Sequence, residues 1–178
     1  MIRKLLIVSC LLGPVFSAFG QSKPDDKARV TTTTATKLDY KEIGAPMPPL
    51  RMFTREGTYL TNDDLKNDAN LILMLFNPTC AHCEDQTVIF RKNLELFRKS
   101  NIVLMAASGM GPYLGYFTKG TKIDSIMKFQ VGIDSSGYID RAFNYKSLPQ
   151  INVYDKERKL IKTFNSTVPI DSLRSFIE

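Results

Sequence analysis

The sequence lacks several residue types on which metal sites and hydrolytic sites commonly depend. It has no tryptophan and a single histidine, His82, among its 178 residues. With one histidine that lies between two cysteines, the chain offers no convincing Ser/His/Asp triad. A structural zinc site needs four ligands, whereas Cys80, Cys83 and His82 supply only three. A copper site would need a distant histidine, so the sequence indicates neither a metal site nor another cofactor.

The chain also lacks a strong excess of one charge. It has 24 basic and 18 acidic residues, a net charge of +6, and Arg3 and Lys4 of the N-terminal segment account for two of those positive charges. The basic residues form no long run, and we find no internal repeat. This composition does not indicate a nucleic-acid partner.

The first twenty residues have the features of a secretory signal peptide. A short positive segment precedes the apolar stretch Leu5–Phe16, and small residues lead to a cleavage site after Gly20. A membrane anchor is the alternative, but the stretch is short and contains Gly13-Pro14. Apolar residues continue beyond Cys10, so we do not expect a lipid anchor there. The sequence therefore predicts export to the periplasm or cell envelope.

The rest of the chain divides into a tether and a domain. Residues 21–37 are polar and have almost no large apolar side chain, which is typical of a flexible tether. Residues 38–178 are long enough to form one domain with its own core. No further apolar stretch of the sequence is long enough to cross a bilayer.

The most informative feature is Cys80-Ala81-His82-Cys83. It follows Leu71–Phe76, which is apolar on both faces like a buried strand, and it begins a helical pattern. Outside residues 1–20 these are the only cysteines, and a pair so close constrains little of the unfolded chain. Its value is therefore chemical. A CxxC at such a junction is typical of thioredoxin-like redox motifs.

The helical pattern predicts different roles for the two thiols. An inward stripe with alternating steps of three and four includes Cys83, Phe90 and Phe97. Cys80 lies at the start of the helix, where a partner can reach it and the helix dipole favours its thiolate. We expect Cys80 to attack a client disulfide and Cys83 to resolve the mixed disulfide.

The hydrophobic pattern predicts alternating strands and helices along the chain, with turns at the glycine- and proline-containing segments. The predicted elements are a hairpin of Leu50–Thr54 and Thr58–Leu60, a short helix capped by Thr61, a strand at Leu71–Phe76, a helix over Cys80–Lys99, a strand at Ile102–Ala107, a helical turn at Pro112–Phe117 in an otherwise irregular segment, a helix at Ile123–Phe129, a strand at Val131–Ile133, a helix at Tyr138–Phe143, a hairpin of Ile151–Tyr154 and Leu160–Phe164, and a final helix from Pro169.

With the CxxC, the predicted βαβ crossover and Ser147-Leu148-Pro149 before the hairpin, the chain resembles thioredoxin-fold proteins. It is most similar to the exported TlpA/ResA-type redoxins, which share a start like Ile43–Pro48 followed by the turn at Gly57. The resemblance implies an α/β, thioredoxin-like fold, with a central mixed sheet flanked by helices and an N-terminal β-hairpin extension. It also implies a cis Leu148–Pro149 bond, with Leu148 and Pro149 facing the CxxC and binding the substrate.

The chain departs from the family pattern at two positions. Pro78-Thr79 replaces the tryptophan that usually precedes the first cysteine, and Met74 occupies the position of the buried acid of cytosolic thioredoxins. We expect His82 and Thr79 to tune the acidity of Cys80, the alternative being a solvated His82 without an electronic role.

The sequence thus predicts an exported protein-disulfide oxidoreductase that acts on protein thiols and disulfides in cell redox homeostasis. Its redox donor or acceptor in the envelope or membrane, which is not identified, would set the direction of exchange. A thiol peroxidase is one alternative, although Asn77 occupies the position where the peroxidatic pattern has threonine. The other is a non-catalytic interaction module of the cell envelope, with the CxxC as a permanent local clasp.

Overall fold

The computed structural model describes residues 38–177, so the predicted signal peptide and tether lie outside the described residues. Seven strands form one mixed sheet, and three α-helices and several short 3-10 turns connect them. The strands are β1 (Arg51–Thr54), β2 (Tyr59–Thr61), β3 (Leu71–Phe76), β4 (Asn101–Ala106), β5 (Phe129–Asp134), β6 (Gln150–Tyr154) and β7 (Leu160–Phe164); the helices are α1 (Ala81–Lys92), α2 (Leu114–Gly120) and α3 (Ile139–Phe143).

The strand order across the sheet is β2-β1-β5-β4-β3-β6-β7. The central strands β3, β4 and β5 are parallel, and the remaining neighbours pair antiparallel. The β1–β2 hairpin forms one edge of the sheet, which confirms the predicted N-terminal extension. Because β3 and β4 are parallel, their carboxyl ends share one edge of the sheet, and the segments that follow them meet there.

Strand β3 contributes to both cores of the domain. Its alternate residues Ile72, Met74 and Phe76 pack on the face that carries α1, and Leu71, Leu73 and Leu75 pack on the face that carries α3. Burying an aliphatic side chain of this size contributes roughly 1.5–3 kcal/mol. Burial on both faces explains why the strand is apolar at every position.

Helix α1 is shorter than the sequence predicted. It ends at Lys92, where Asn93 leaves the helical region and its side-chain amide donates a hydrogen bond to the Ile89 carbonyl at 2.8 Å. A separate 3-10 turn, Leu94–Phe97, follows. The prediction of a continuous helix to Lys99 was therefore wrong, because a local side-chain bond replaces the next helical turn.

The segment between β4 and β5 contains the largest error of prediction. The sequence indicated a helix at Ile123–Phe129, but α2 lies earlier and is longer than the predicted turn. After α2, Lys122 adopts a left-handed conformation with φ 57°, and Ile123 is buried. The Ile126 and Phe129 amides then donate to carbonyls three residues earlier. Apolar residues every three positions thus belong to successive turns that lead into β5.

Two smaller expectations also fail. The segment after Pro169 forms two 3-10 turns, Ile170–Ser172 and Arg174–Phe176, around the buried Leu173 rather than one helix. The short helix expected after Thr61 is present as the 3-10 turn Asp63–Leu65, but Asn62 is its N-cap, and the Thr61 hydroxyl and amide both donate to the Asp64 carboxylate. The predicted strands and α3 are confirmed to within about two residues at each end.

Candidate redox site

A tight turn after β3 carries the chain into the CxxC. The side-chain oxygen of Asn77 accepts hydrogen bonds from the amide and the hydroxyl of Thr79, both at 2.9 Å. The Cys80 amide donates to the Asn77 carbonyl at 3.1 Å. This asparagine turn ends with Cys80 in an extended conformation, φ −98° and ψ 117°, at the N-cap of α1.

Cys80 lies where α1 begins, and its thiol is half-buried and not disulfide-bonded. Its carbonyl accepts the amides of Cys83 and Glu84, at 3.0 and 3.1 Å, which starts the helix. The positive end of the helix dipole therefore lies next to this residue, where it favours a thiolate.

Cys83 has a very different environment one helical turn further on. It is fully buried in the core under α1, with Thr87 and Phe90 on the same inward face. Burial raises the pKa of the Cys83 thiol to about 12. The neighbouring Cys80 and Glu84 contribute to the raised pKa, while a hydrogen bond from the Asn77 backbone opposes the rise. At neutral pH the Cys83 thiol is therefore protonated.

The segment before β6 approaches Cys80 from the other side. The Leu148–Pro149 peptide bond is cis, as the resemblance implied. The Cys80 thiol faces the Leu148 carbonyl, with Sγ 4.0 Å from the oxygen. The structure thus brings Leu148 and Pro149 to the CxxC although they are distant from it in the sequence.

His82 and Thr79 lie on the exposed side of the site. The His82 carbonyl accepts the Thr167 hydroxyl at 3.1 Å. Within residues 38–177 its imidazole makes no hydrogen bond or ion pair. The Thr79 hydroxyl is directed to Asn77 rather than to a cysteine. Their predicted influence on Cys80 remains a prediction.

The position of the missing acid is filled by an apolar side chain. Met74 is fully buried in β3, and the carboxylate that acts on Cys83 is that of the adjacent Glu84. Over the described part of the chain, no three His, Cys, Asp or Glu side chains are grouped so that they could hold a metal ion. The site as described consists of two thiols, backbone groups and polar side chains, with the Glu84 carboxylate close to Cys83.

Sequence reasoning missed the structural roles of four residues at this site. Asn77 forms the turn, while Gln86, Ser147 and Thr167 connect segments that are far apart in the chain. The Asn-Pro-Thr signature is typical of a turn and could have revealed Asn77. The other three contacts depend on tertiary structure and have no local signal.

No known protein family matches the sequence, and no curated protein sequence is significantly similar to it. Solved structures do match. A proposed protein disulfide isomerase from Bacteroides thetaiotaomicron superposes with a TM-score of 0.64 at 16% identity, covering 79% of this chain and 91% of that one. StoA from Bacillus subtilis superposes with a TM-score of 0.60 at 16% identity, covering 76% of this chain and 99% of that one. A secreted Mycobacterium tuberculosis disulfide oxidoreductase homologous to E. coli DsbE superposes with a TM-score of 0.58 at 16% identity, covering 70% of this chain and 91% of that one.

The fold is thioredoxin-like. The neighbours carry this fold as thiol–disulfide oxidoreductases, in agreement with the resemblance noted from the sequence. At this level of identity, the likeness establishes the architecture alone. None of the helices described here is long and apolar enough to cross a membrane.

Proposed function

We propose that the protein is an exported thiol–disulfide oxidoreductase that exchanges disulfides with protein clients through Cys80 and Cys83. The observation that carries the proposal is the contrast between the two thiols. Cys80 is accessible at the start of α1, and Cys83 is buried one turn behind it with a raised pKa. A nucleophile with a protected second thiol behind it is the arrangement that two-step exchange requires.

In the first step the Cys80 thiolate attacks one sulfur of a client disulfide. A bond forms between Cys80 and that sulfur, the client disulfide breaks, and the other client sulfur leaves as a thiolate that takes a proton from water. The dipole of α1 and the amides of its first turn stabilise the attacking charge. The Leu148 carbonyl, on the opposite side of Cys80, bounds the space that the client segment would occupy.

In the second step Cys83 releases its proton to water and attacks the Cys80 sulfur. The Cys80–client bond breaks, the client leaves as a second thiol, and a Cys80–Cys83 disulfide remains. Two electrons pass from the protein to the client, and a dithiol reductant of the envelope would restore the starting state. The reverse sequence of steps oxidises a client dithiol. Cys80 is one of the groups that raise the pKa of Cys83, although burial is the main cause.

Export is part of the proposal. The N-terminal twenty residues have the pattern of a signal peptide, and one structural neighbour is a secreted disulfide oxidoreductase. Clients and redox partner would then be proteins of the cell envelope. Insulin-reducing activity measured in separated cytoplasmic and envelope fractions would test the location, and we expect it in the envelope fraction.

Insulin reduction with dithiothreitol as electron source tests the chemistry. We expect turnover by the wild type and loss of at least 100-fold in Cys80→Ser. A matched control is Met127→Ser, since this side chain is 90% exposed. Met127 precedes the amino end of β5, whereas the CxxC follows the carboxyl end of the parallel strand β3. Equal insulin reduction by wild type and Cys80→Ser would instead favour the non-catalytic interaction module.

A further inference from the structure

We infer that residues 165–168, here called the tie loop, set the distance between two parts of the redox site, the CxxC at the start of α1 and the segment that carries Leu148. Thr167 is the positioning residue of this loop. The inference rests on the proposed function and deepens it by naming what holds the cleft between Cys80 and Leu148, where a client would bind, at a fixed width. The tie loop lies between β7 and the first C-terminal 3-10 turn. It contacts both the first turns of α1 and the segment that carries Leu148.

Two of these contacts reach α1. The Thr167 hydroxyl donates to the carbonyl of His82, in the middle of the CxxC, at 3.1 Å. The Val168 amide donates to the side-chain oxygen of Gln86 at 2.7 Å in a buried environment. Both acceptors lie within the first half of the helix, close to the thiols.

A third contact reaches the other half of the site. The Ser147 hydroxyl donates to the carbonyl of Asn165 at 2.7 Å. Ser147 directly precedes Leu148, whose carbonyl faces Cys80 across 4.0 Å. The tie loop therefore bridges the two segments between which a client disulfide must enter.

The composition of α1 supports a positioning role for these contacts. Gln86 is fully buried on the core face of the helix, where an apolar residue would pack without cost. Its side-chain nitrogen has no partner among the described residues. Because an unpartnered buried donor is destabilising, the amide at this position is better explained by its bond to the tie loop than by stability.

The expected consequence is an effect on large clients. Disulfide exchange needs the Cys80 sulfur and the client sulfur to be close and aligned. A client protein must fit between Cys80 and Leu148 to achieve this. Loosening the His82 peptide would let the first turn move away from Leu148. We expect weaker binding of proteins in this cleft, whereas a small neutral disulfide, which needs only Cys80, is less affected.

Thr167→Val tests the inference, because it keeps the shape of the side chain and removes its donor. We expect KM for insulin to rise about fivefold, the change that corresponds to about 1 kcal/mol for one hydrogen bond. The rate with bis(2-hydroxyethyl) disulfide should stay within twofold. Thr167→Ser, which keeps the hydroxyl, should restore the insulin KM.

Amide hydrogen exchange tests the same inference without an activity assay. Amide hydrogen exchange in the first turn of α1 should accelerate about fivefold in Thr167→Val and return to the wild-type rate in Thr167→Ser. The matched control is Thr163→Val on β7, which removes a hydroxyl bonded to Asn152 at 3.0 Å, a contact within the β6–β7 hairpin. This control should change neither the exchange in α1 nor the insulin KM.

Exchange rates in α1 that are unchanged in Thr167→Val, or equally changed in Thr163→Val, would overturn the inference. So would an unchanged insulin KM in an active enzyme. If the wild type does not reduce insulin, the proposed function fails, yet the exchange measurement still decides whether the tie loop positions α1. The two failures are thus distinguishable.

Discussion

Cys80 and Cys83 are identical side chains three residues apart, yet the fold gives them opposite environments. Cys80 precedes the first helical residue and is half-buried opposite Leu148. Cys83 lies within the helix, fully buried, with its pKa raised to about 12. The difference arises because the helix begins between them, after the turn at Asn77. The start of a helix can therefore create two chemical environments within one short motif.

The largest effect should come from removing the buried thiol. In Cys83→Ser the mixed disulfide forms but has no second thiol to resolve it, so insulin turnover should fall at least 100-fold and adducts should accumulate. Non-reducing gels of envelope fractions, with dithiothreitol-treated samples as control, would show them. Adducts of equal abundance in Cys80→Ser would contradict the assignment of the two roles.

Alkylation measures the same contrast without a client. In the reduced native protein at about pH 8, iodoacetamide should modify Cys80 more than 100-fold faster than Cys83. With a pKa of about 12, the thiolate fraction of Cys83 is on the order of 10⁻⁴ at this pH, and burial hinders access as well. Mass spectrometry should find singly modified protein, and unfolding in guanidinium should equalise the two rates. Double modification of the native protein at similar rates would refute the expected difference.

The raised pKa of Cys83 also predicts how stability depends on pH. The native thiol keeps its proton up to about pH 12, whereas the unfolded thiol releases it near pH 8.5. The unfolded state therefore binds fewer protons in this range, and stability falls as pH rises. The contribution is complete below about pH 8.5 and is lost between there and pH 12.

Chemical denaturation of the reduced protein at several alkaline pH values would detect this loss. Cys83→Ala should show a shallower decline in the free energy of unfolding than the wild type. The pKa of Tyr145 is also raised to about 12, mainly by burial, but Tyr145 is present in both proteins and cancels in the comparison. Parallel curves for the two proteins would show that Cys83 is not the group responsible.

The sequence was sufficient for the parts of the site whose cause is local. The apolar run of β3 and the inward stripe of α1 predicted that Cys83 would be buried and Cys80 accessible. The end of α1 at Lys92 and the turns before β5 were missed because side-chain bonds and burial override periodicity there. The contact between Thr167 and His82 joins residues 85 positions apart, and no local pattern encodes it.

The smallest expected effect belongs to His82. A positively charged imidazole near Cys80 would stabilise the thiolate of the reduced form, so His82→Ala should lower the reduction potential of the couple. Because the side chain is exposed, we expect a decrease of no more than about 30 mV, which is a tenfold change in the equilibrium constant.

Equilibration with glutathione at low salt and at about 1 M salt would test the electrostatic origin of the shift. Screening should shrink the difference between wild type and His82→Ala at high salt. A shift that persists at high salt would point instead to the backbone, because the His82 carbonyl is bonded to Thr167. Thr167→Val measured alongside would then reproduce it. No shift at either salt concentration would mean that His82 is a solvated residue and that the contrast between the thiols comes from the start of the helix alone.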